Sequence, residues 1–343
     1  MNNLSPFQSD NTTTVLASVA SGFANYADAS GLDKEDLFDR AGLSLNVLQD
    51  PNQSICLKKF LDILDNAALT SGDDNFGLSL GADFKPEYLG LIGYIALSSA
   101  TVGDAIYSIV QYFSSFQNNS SIKVKPYKGL ISLEYQLWDA SIISRRHDAE
   151  LTMCILMNIV KRAYENQWAP VAVHFTHEKP DSGYLHSKVF HSDIEFNKDC
   201  HSIILRASDL DKPMPGYDPH LNSILVRTLN LLHKNHELSE KTSDKVSNII
   251  LNMFSKGYPT LTDVADHMGI PKWTLSRQLN EEGYSFSTLV EKTRRDLACH
   301  YLMKTSMNIS KISEMLGYNE TSSFTHAFTR WFGVPPKKWR ENM

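Results

Sequence analysis

Near the carboxy terminus, the run Lys272-Trp273-Thr274-Leu275-Ser276-Arg277, followed by Asn280, gathers side chains suited to reading nucleobases. An arginine fork can donate two hydrogen bonds to guanine O6 and N7, and asparagine can pair with adenine N6 and N7. Each such pair is worth about 1–3 kcal/mol of discrimination. Leu275 and Leu279 lie one helical turn apart, which turns Lys272, Trp273, Ser276, Arg277 and Asn280 outward, with Thr274 beside them. Two fates are open to Trp273, packing on a neighbouring helix or contact with a groove. Arg277 can likewise meet a base edge or a phosphate. A second polar set, Thr321, Ser322, Thr325, His326 and Arg330, surrounds the apolar Phe324 and Phe328. Hydroxyls and one imidazole bond bases less selectively than an arginine fork, so this set is expected mostly to position. Lys337, Lys338 and Arg340 suit phosphate contacts, as the cations of any basic tail would.

The elements that must hold these side chains are legible as a near-repeat. Leu261-Thr-Asp-Val-Ala-Asp-His-Met-Gly269 returns 48 residues later as Ile309-Ser-Lys-Ile-Ser-Glu-Met-Leu-Gly317. Positions 261, 264, 265 and 268 share one helical face, as do 309, 312, 313 and 316. The small Ala265 and Ser313 admit a close neighbour, and each glycine suits a left-handed helix end. A short second helix follows each glycine, the first opening near Pro271, so each half reads as a helix-turn-helix unit. Between them, Phe286–Met303 reads as a linker helix with Leu289, Val290, Leu297, Ala298 and Leu302 inward. Such a linker would set the second helices roughly 34 Å apart, one turn of B-DNA.

The span from Ser243 to Arg340 resembles the AraC/XylS family of transcription regulators. The likeness rests on Ile309–Gly317 and on Phe324-x3-Phe328-x2-Trp331-Phe332-Gly333-Val334-Pro335-Pro336-x2-Trp339-Arg340. Lys272–Arg277 looks like the matching stretch of the multiple-antibiotic-resistance activators, and that resemblance implies that Trp273 and Arg277 reach the major groove. Upstream, Asp74, Phe76-Gly77-Leu78-x-Leu80-Gly81, Leu89-Gly90-x2-Gly93-Tyr94, Val171–His174 and Leu210–Pro213 resemble the "arabinose-binding" amino-terminal domain of ornithine-responsive and virulence-type regulators. The domain's name is inherited and says nothing about arabinose here. The resemblance implies double-stranded promoter DNA, RNA polymerase, a small-molecule effector and a second copy of the chain as partners, and more often activation than repression.

Composition fits this division. Of 343 residues, 33 are Lys or Arg and 39 are Asp or Glu, a net charge of −6. From Ser243 onward, 13 basic residues face 10 acidic ones, a net +3, which leaves 20 against 29 and a net −9 upstream. An acidic domain joined to a mildly basic one suits a chain that meets phosphate at one end only. The apolar runs fall far short of the roughly 20 residues of a spanning helix. With no secretory leader and no C-x-x-C pair, the four cysteines read as reduced thiols of a cytoplasmic protein.

The expected domains are an α+β effector-binding or dimerisation domain (1–215), a connecting helix and hinge (216–242, with a polar hinge at His236–Asp244), and an all-α double helix-turn-helix domain (243–343). Within the first, Val15–Asn118 reads as mostly helical, with helices at Leu57–Ala68 and Val102–Phe116, the latter capped by Thr101. Ser121–Leu137 reads as a hairpin, Ser141–Asn166 as a helix, and Val171–Phe175, Ile194–Phe196 and Ser202–Leu205 as strands. Such a domain is expected to hold an effector in an apolar pocket, with Tyr88, Tyr94, Tyr107, Tyr112 and Trp138 as candidates for its aromatic lining, although ordinary core is the commoner fate of such residues. No cofactor or metal is expected. His174 and His177 read as opposite faces of one strand, and His191, Cys200 and His201 lack zinc spacing. No nucleophile elbow or nucleotide-binding glycine loop is present. The alternatives are a metabolite-binding protein or enzyme with a vestigial helix-turn-helix tail, and a regulator whose first domain only dimerises.

Overall fold

A computed structural model describes residues 13–139, 142, 144–165, 167–237, 242–254, 258–304 and 307–341. The chain divides into two units, Met1–Leu137 with Ser141–His233, and Trp138–Ala140 with Lys234–Met343.

The first unit is α+β. A three-residue strand, β1 (Thr14–Leu16), leads into α1 (Ser18–Ser30) and α2 (Lys34–Arg40). β2 (Ser54–Cys56) pairs antiparallel with β1, then come α3 (Leu57–Ser71), α4 (Phe76–Asp83), α5 (Leu91–Leu97) and α6 (Val102–Phe116). The β1–β2 ribbon was not legible in the sequence, because three residues carry too little alternation to register. α6 starts where the residue types demand: Thr101 and Asp104 form a capping box, and Val102, Ala105, Ile106, Ile109 and Phe113 point into the core.

The sheet follows. β3 (Ser120–Tyr127) and β4 (Leu130–Leu137) form the expected hairpin around Lys128 and Gly129, whose φ values of 48° and 81° make the tight primed turn that suits strand twist. α7 (Arg146–Arg162), β5 (Ala172–His174), α8 (Tyr184–Phe190), β6 (Asp193–Glu195) and β7 (His201–Leu205) complete a five-stranded sheet of order β3-β4-β7-β5-β6. Only β5 and β6 run parallel, and α8 crosses between them. α7 is buried at every position from Asp148 to Met157. α4 comes close enough that a Cβ on Gly77 would lie 2.5 Å from His147 Cα, and one on Gly81 would lie 2.7 Å from Cys154 Cβ. Those two glycines are what admit α7 to the core. His177 lies beyond the end of β5, so it is not the strand partner of His174 that the sequence suggested.

The first unit ends at His233, within α9 (Pro219–Glu237), and α10 (Thr242–Met253) lies in the second. The polar hinge expected at His236–Asp244 is helical at both ends, with 238–241 outside the described residues. Polarity without glycine or proline marks a solvated helix face as readily as a break.

The second unit is all helix among its described residues. α11 (Leu261–His267) and α12 (Lys272–Glu281) form one pair, α13 (Phe286–Lys304) follows, and α14 (Ile309–Met315) and α15 (Thr321–Phe332) form the second pair before α16 (Pro336–Glu341). Gly269 and Gly317 turn both pairs at φ 65° and 72°, as the repeat predicts. Pro271 sits at the extended cap before α12 instead of inside its first turn.

Candidate nucleic-acid interface

A single hydrophobic cluster runs through both helix pairs. Val264, Ala265, Leu275 and Leu279 of the first share it with Ile312, Leu316, Phe324 and Phe328 of the second. α13 supplies Leu289, Val290, Leu297, Ala298 and Leu302 between them, all buried. A shared, close-packed core holds the two pairs at one separation.

Polar bonds reinforce that core, and the sequence reading missed them. The half-buried guanidinium of Arg294, on α13, donates to the carbonyls of Leu316 (2.9 Å) and Gly317 (2.9 Å), the last acceptors of the α14 turn. It lies 4.1 Å from the Tyr318 ring centroid and 4.5 Å from that of Tyr258. Burial pulls its pKa down, but an arginine remains charged. Glu282, just past α12, accepts from the backbone N–H groups of Thr242 (2.6 Å) and Ser243 (2.8 Å), capping α10. Burial pushes its pKa up, and the hydrogen bonds from Ser243 and Thr242 outweigh this and hold it below the ordinary value. Helical periodicity identifies faces, and it carries no trace of which charged side chain bends back to a distant carbonyl or amide.

The α12 face projects from this scaffold. Leu275 and Leu279 are fully buried, whereas Lys272, Trp273, Arg277 and Asn280 are exposed and Thr274 and Ser276 are half-buried. Trp273 is 65% exposed, so packing on the linker helix is not its fate. The Arg277 guanidinium lies 5.9 Å from the Trp273 ring centroid, and its Nε is 3.7 Å from Glu281 on the same face. An exposed pair at that distance contributes little and restrains the arginine weakly.

The α15 face is different. Ser322 and His326 are exposed, Thr321 and Thr325 half-buried. The Thr325 hydroxyl donates to its own helix at the Thr321 carbonyl (2.9 Å), and Ser322 donates to the Glu320 carboxylate (3.0 Å). Arg330 pairs with Glu291 of α13, which also accepts from Trp331 Nε1 at 2.8 Å. Those hydrogen bonds hold the Glu291 carboxyl below its usual value. Lys337 and Lys338 are exposed on α16. Arg340 instead turns inward, donating to the carbonyls of Leu302 (3.1 Å) and Met307 (2.6 Å), which corrects its reading as a phosphate contact.

The five aromatics named as effector lining do not share one environment. Tyr94 and Tyr107 are 49% and 67% exposed, and Tyr112 lies in the core on the opposite side of α6 from Tyr107. Tyr88 is half-buried, accepting a hydrogen bond from Asn25 at 2.8 Å, and Trp138 falls in the second unit. Among the described residues, one group brings metal-binding donors together, Glu150, His177 and His186. No helix among them is long and apolar enough to cross a membrane.

Two helix-turn-helix pairs on one core, each with a projecting second helix, define a DNA-binding transcription regulator. Residues 31–214, more than half of the chain, match the family described as "Arabinose-binding domain of AraC transcription regulator, N-term", and 264–342 match a helix-turn-helix domain family. The chain belongs to the AraC-type regulators. It is 25% identical over 315 residues to an ornithine utilization regulator of Pseudomonas aeruginosa, covering 91% of both chains. It is 30% identical over 130 residues to the transcriptional activator AggR of Escherichia coli, covering 36% of this chain and 49% of that one. The crystal structure of the regulator CdpR from Pseudomonas aeruginosa aligns over 94% of this chain and 98% of that one, with 18% identity and a TM-score of 0.45.

Proposed function

We propose that this regulator is an effector-controlled activator that reads its promoter chiefly through α12. The observation that carries the reading is the α12 face, where Lys272, Trp273, Arg277 and Asn280 stand exposed over a buried Leu275–Leu279 ridge. In the major groove, Arg277 would take guanine, with Trp273 packing against neighbouring bases and Thr274, Ser276 and Asn280 completing the contact. On α15, Thr321, Ser322, Thr325, His326 and Arg330 would position the second unit, and Lys337 and Lys338 would meet phosphate. Activation rests on the likeness to AggR, an activator, and implies contact with RNA polymerase in the cytoplasm. The effector is a small molecule held by the first unit, and the likeness to an ornithine utilization regulator makes amino acids the first class to screen. Homodimerisation draws support from α9, which leaves Leu221, Ile224, Leu231 and Leu232 exposed at 43%, 63%, 55% and 48%. A second copy covering that face would remove a costly apolar strip from water.

The test is selection and sequencing of random duplex DNA by the full-length protein and Arg277→Ala, at one fixed salt concentration. The expected outcome is a single motif spanning two adjacent major-groove turns, blurred at the guanine position in the variant. The same motif from both proteins would remove Arg277 from the reading.

A further inference from the structure

The first unit buries a polar cluster that DNA reading does not use. Glu150, on α7, is fully buried. Its Oε1 accepts from Arg146 Nε (2.8 Å) and sits 2.8 Å from His186 Nε2, on α8. His177, beyond β5, donates through Nδ1 to the Glu178 carbonyl at 2.9 Å. That bond settles its tautomer, because a carbonyl can only accept, and leaves the Nε2 lone pair facing Glu150 Oε1 at 3.8 Å. Among the described residues, three buried atoms here have no hydrogen-bond partner: Glu150 Oε2, His177 Nε2 and His186 Nδ1.

The chemistry of those three atoms is one-sided. Glu150 Oε1 accepts from the Arg146 guanidinium and from His186, so the side chain acts as a carboxylate acceptor. In the neutral His177 imidazole, with Nδ1–H given to the Glu178 carbonyl, Nε2 is an acceptor. With His186 Nε2–H given to the carboxylate, Nδ1 is an acceptor in the neutral imidazole. In that state the set can be satisfied only by a donor or a cation, and buried acceptors are costly to leave unmet. Arg146 does not forbid a cation. It is already balanced by Glu150 and by Asp74 (3.0 Å), with Asn75 taking its remaining fork at 2.8 Å. His147 Nδ1, 3.8 Å from Glu150 Oε2, is occupied by the Gly77 N–H.

We propose that Glu150, His177 and His186 form a binding site for a divalent transition-metal ion of the zinc type. One ligand atom from each lies within 4.8 Å of the others. A four-coordinate ion with bonds near 2.0–2.1 Å requires separations of roughly 3.3 Å. Side-chain rotation reaches them, with His186 exchanging its hydrogen bond to Glu150 for the ion by a ring flip or by release of the Nε2 proton. Two imidazoles and one carboxylate suit zinc, cobalt or nickel better than calcium or magnesium, which prefer all-oxygen sites. The rings of Phe175 and Phe196 pack against the histidines, with centroids 4.9 Å from His177 and 5.2 Å from His186, and form a dry shell. Three protein donors leave a fourth position open. The bound ion ties α7, α8 and the segment after β5 together.

The test uses untagged full-length protein, stripped with EDTA and desalted, then titrated with ZnCl2 or CoCl2. One equivalent is expected to bind, raising the melting temperature, and Co2+ is expected to give the visible bands of a four-coordinate site. His177→Ala, at the partly open rim of the cluster, and the shape-conserving Glu150→Gln should keep the native circular dichroism and weaken binding at least ~100-fold. His191→Ala, an exposed histidine outside the cluster, should bind as the parent does. No stoichiometric binding of either ion, equal binding in His177→Ala, or a melting-temperature rise with ammonium salts but not with metals would each overturn the site.

Discussion

α12 and α15 occupy equivalent places in two copies of one sequence pattern, yet they present opposite surfaces. α12 holds its strongest hydrogen-bonding group, Arg277, 63% exposed and loosely paired with Glu281. α15 ties its arginine to Glu291 of the linker helix and returns its Thr325 hydroxyl to its own backbone. Arg330 is as exposed as Arg277, 68% against 63%, so the difference lies in engagement: a donor already bonded within the protein must exchange that bond before it can meet a base. The lesson is that a repeat duplicates a scaffold without duplicating its chemistry. One copy can hold the register while the other reads.

That asymmetry depends on a rigid common frame, and Arg294 is the place to break it. Its guanidinium serves two carbonyls of the second pair's turn and stacks on Tyr258 and Tyr318. Arg294→Ala leaves two carbonyls without their donor and removes the stacking, a loss of about 2–4 kcal/mol. The expected result is a lowered urea midpoint for the second unit and loss of affinity for every DNA sequence alike. Unchanged stability would mean that the hydrophobic core alone spaces the pairs.

Arg277→Ala cuts the other way. Stability should stay within about 0.5 kcal/mol, as for an exposed residue. Discrimination at one base position should fall by about 1–3 kcal/mol, or roughly 5- to 150-fold. Competition binding with single-base operator variants separates this from a phosphate contact, which would weaken all sequences equally.

The two helices were legible because apolar period, glycine turns and outward polar residues are all local signals, and Gly269, Gly317, Leu275 and Phe324 carry them. The linker's buried face followed from the same period. Arg294, Glu291 and Glu282 were not legible, since each acts by reaching an acceptor or donor about 22 to 40 positions away that only the fold brings near. Arg340 was misread for the same reason. In the first unit, α7 was visible as a helix, but the meeting of Glu150 with His177 and His186 depends on α7, the end of β5 and α8 converging. A carboxylate inside a run otherwise built for burial was the one available signal.

A smaller effect isolates how the first pair is anchored. Glu282→Gln keeps the size of the side chain but removes its charge and one of the two oxygens that accept from Thr242 and Ser243, for a loss of about 1 kcal/mol or more at neutral pH. The folded carboxyl titrates below its ordinary 4.5, so folding resists a protonation that the unfolded chain accepts. The charge's contribution is therefore complete above about 4.5 and fades as pH falls through the lower folded value. Parent and variant should differ in urea midpoint at pH 7, and the gap should narrow as pH falls below about 4.5. A constant gap across that range would assign the loss to altered packing.

The smallest expected effect concerns the α15 hydroxyls and whether they stay bonded to their own helix when DNA is present. Thr325→Val is nearly isosteric and deletes a hydroxyl whose hydrogen bond closes on its own helix at Thr321. Because the partner carbonyl also belongs to the helix ladder, it is not left bare, and stability should change by no more than about 0.5 kcal/mol. If α15 only positions, DNA affinity should change less than about threefold, with the preferred sequence unaltered. A shifted preference at the half-site under α15 would show that Thr325 rotates out to meet a base, and both copies of the repeat would then be readers.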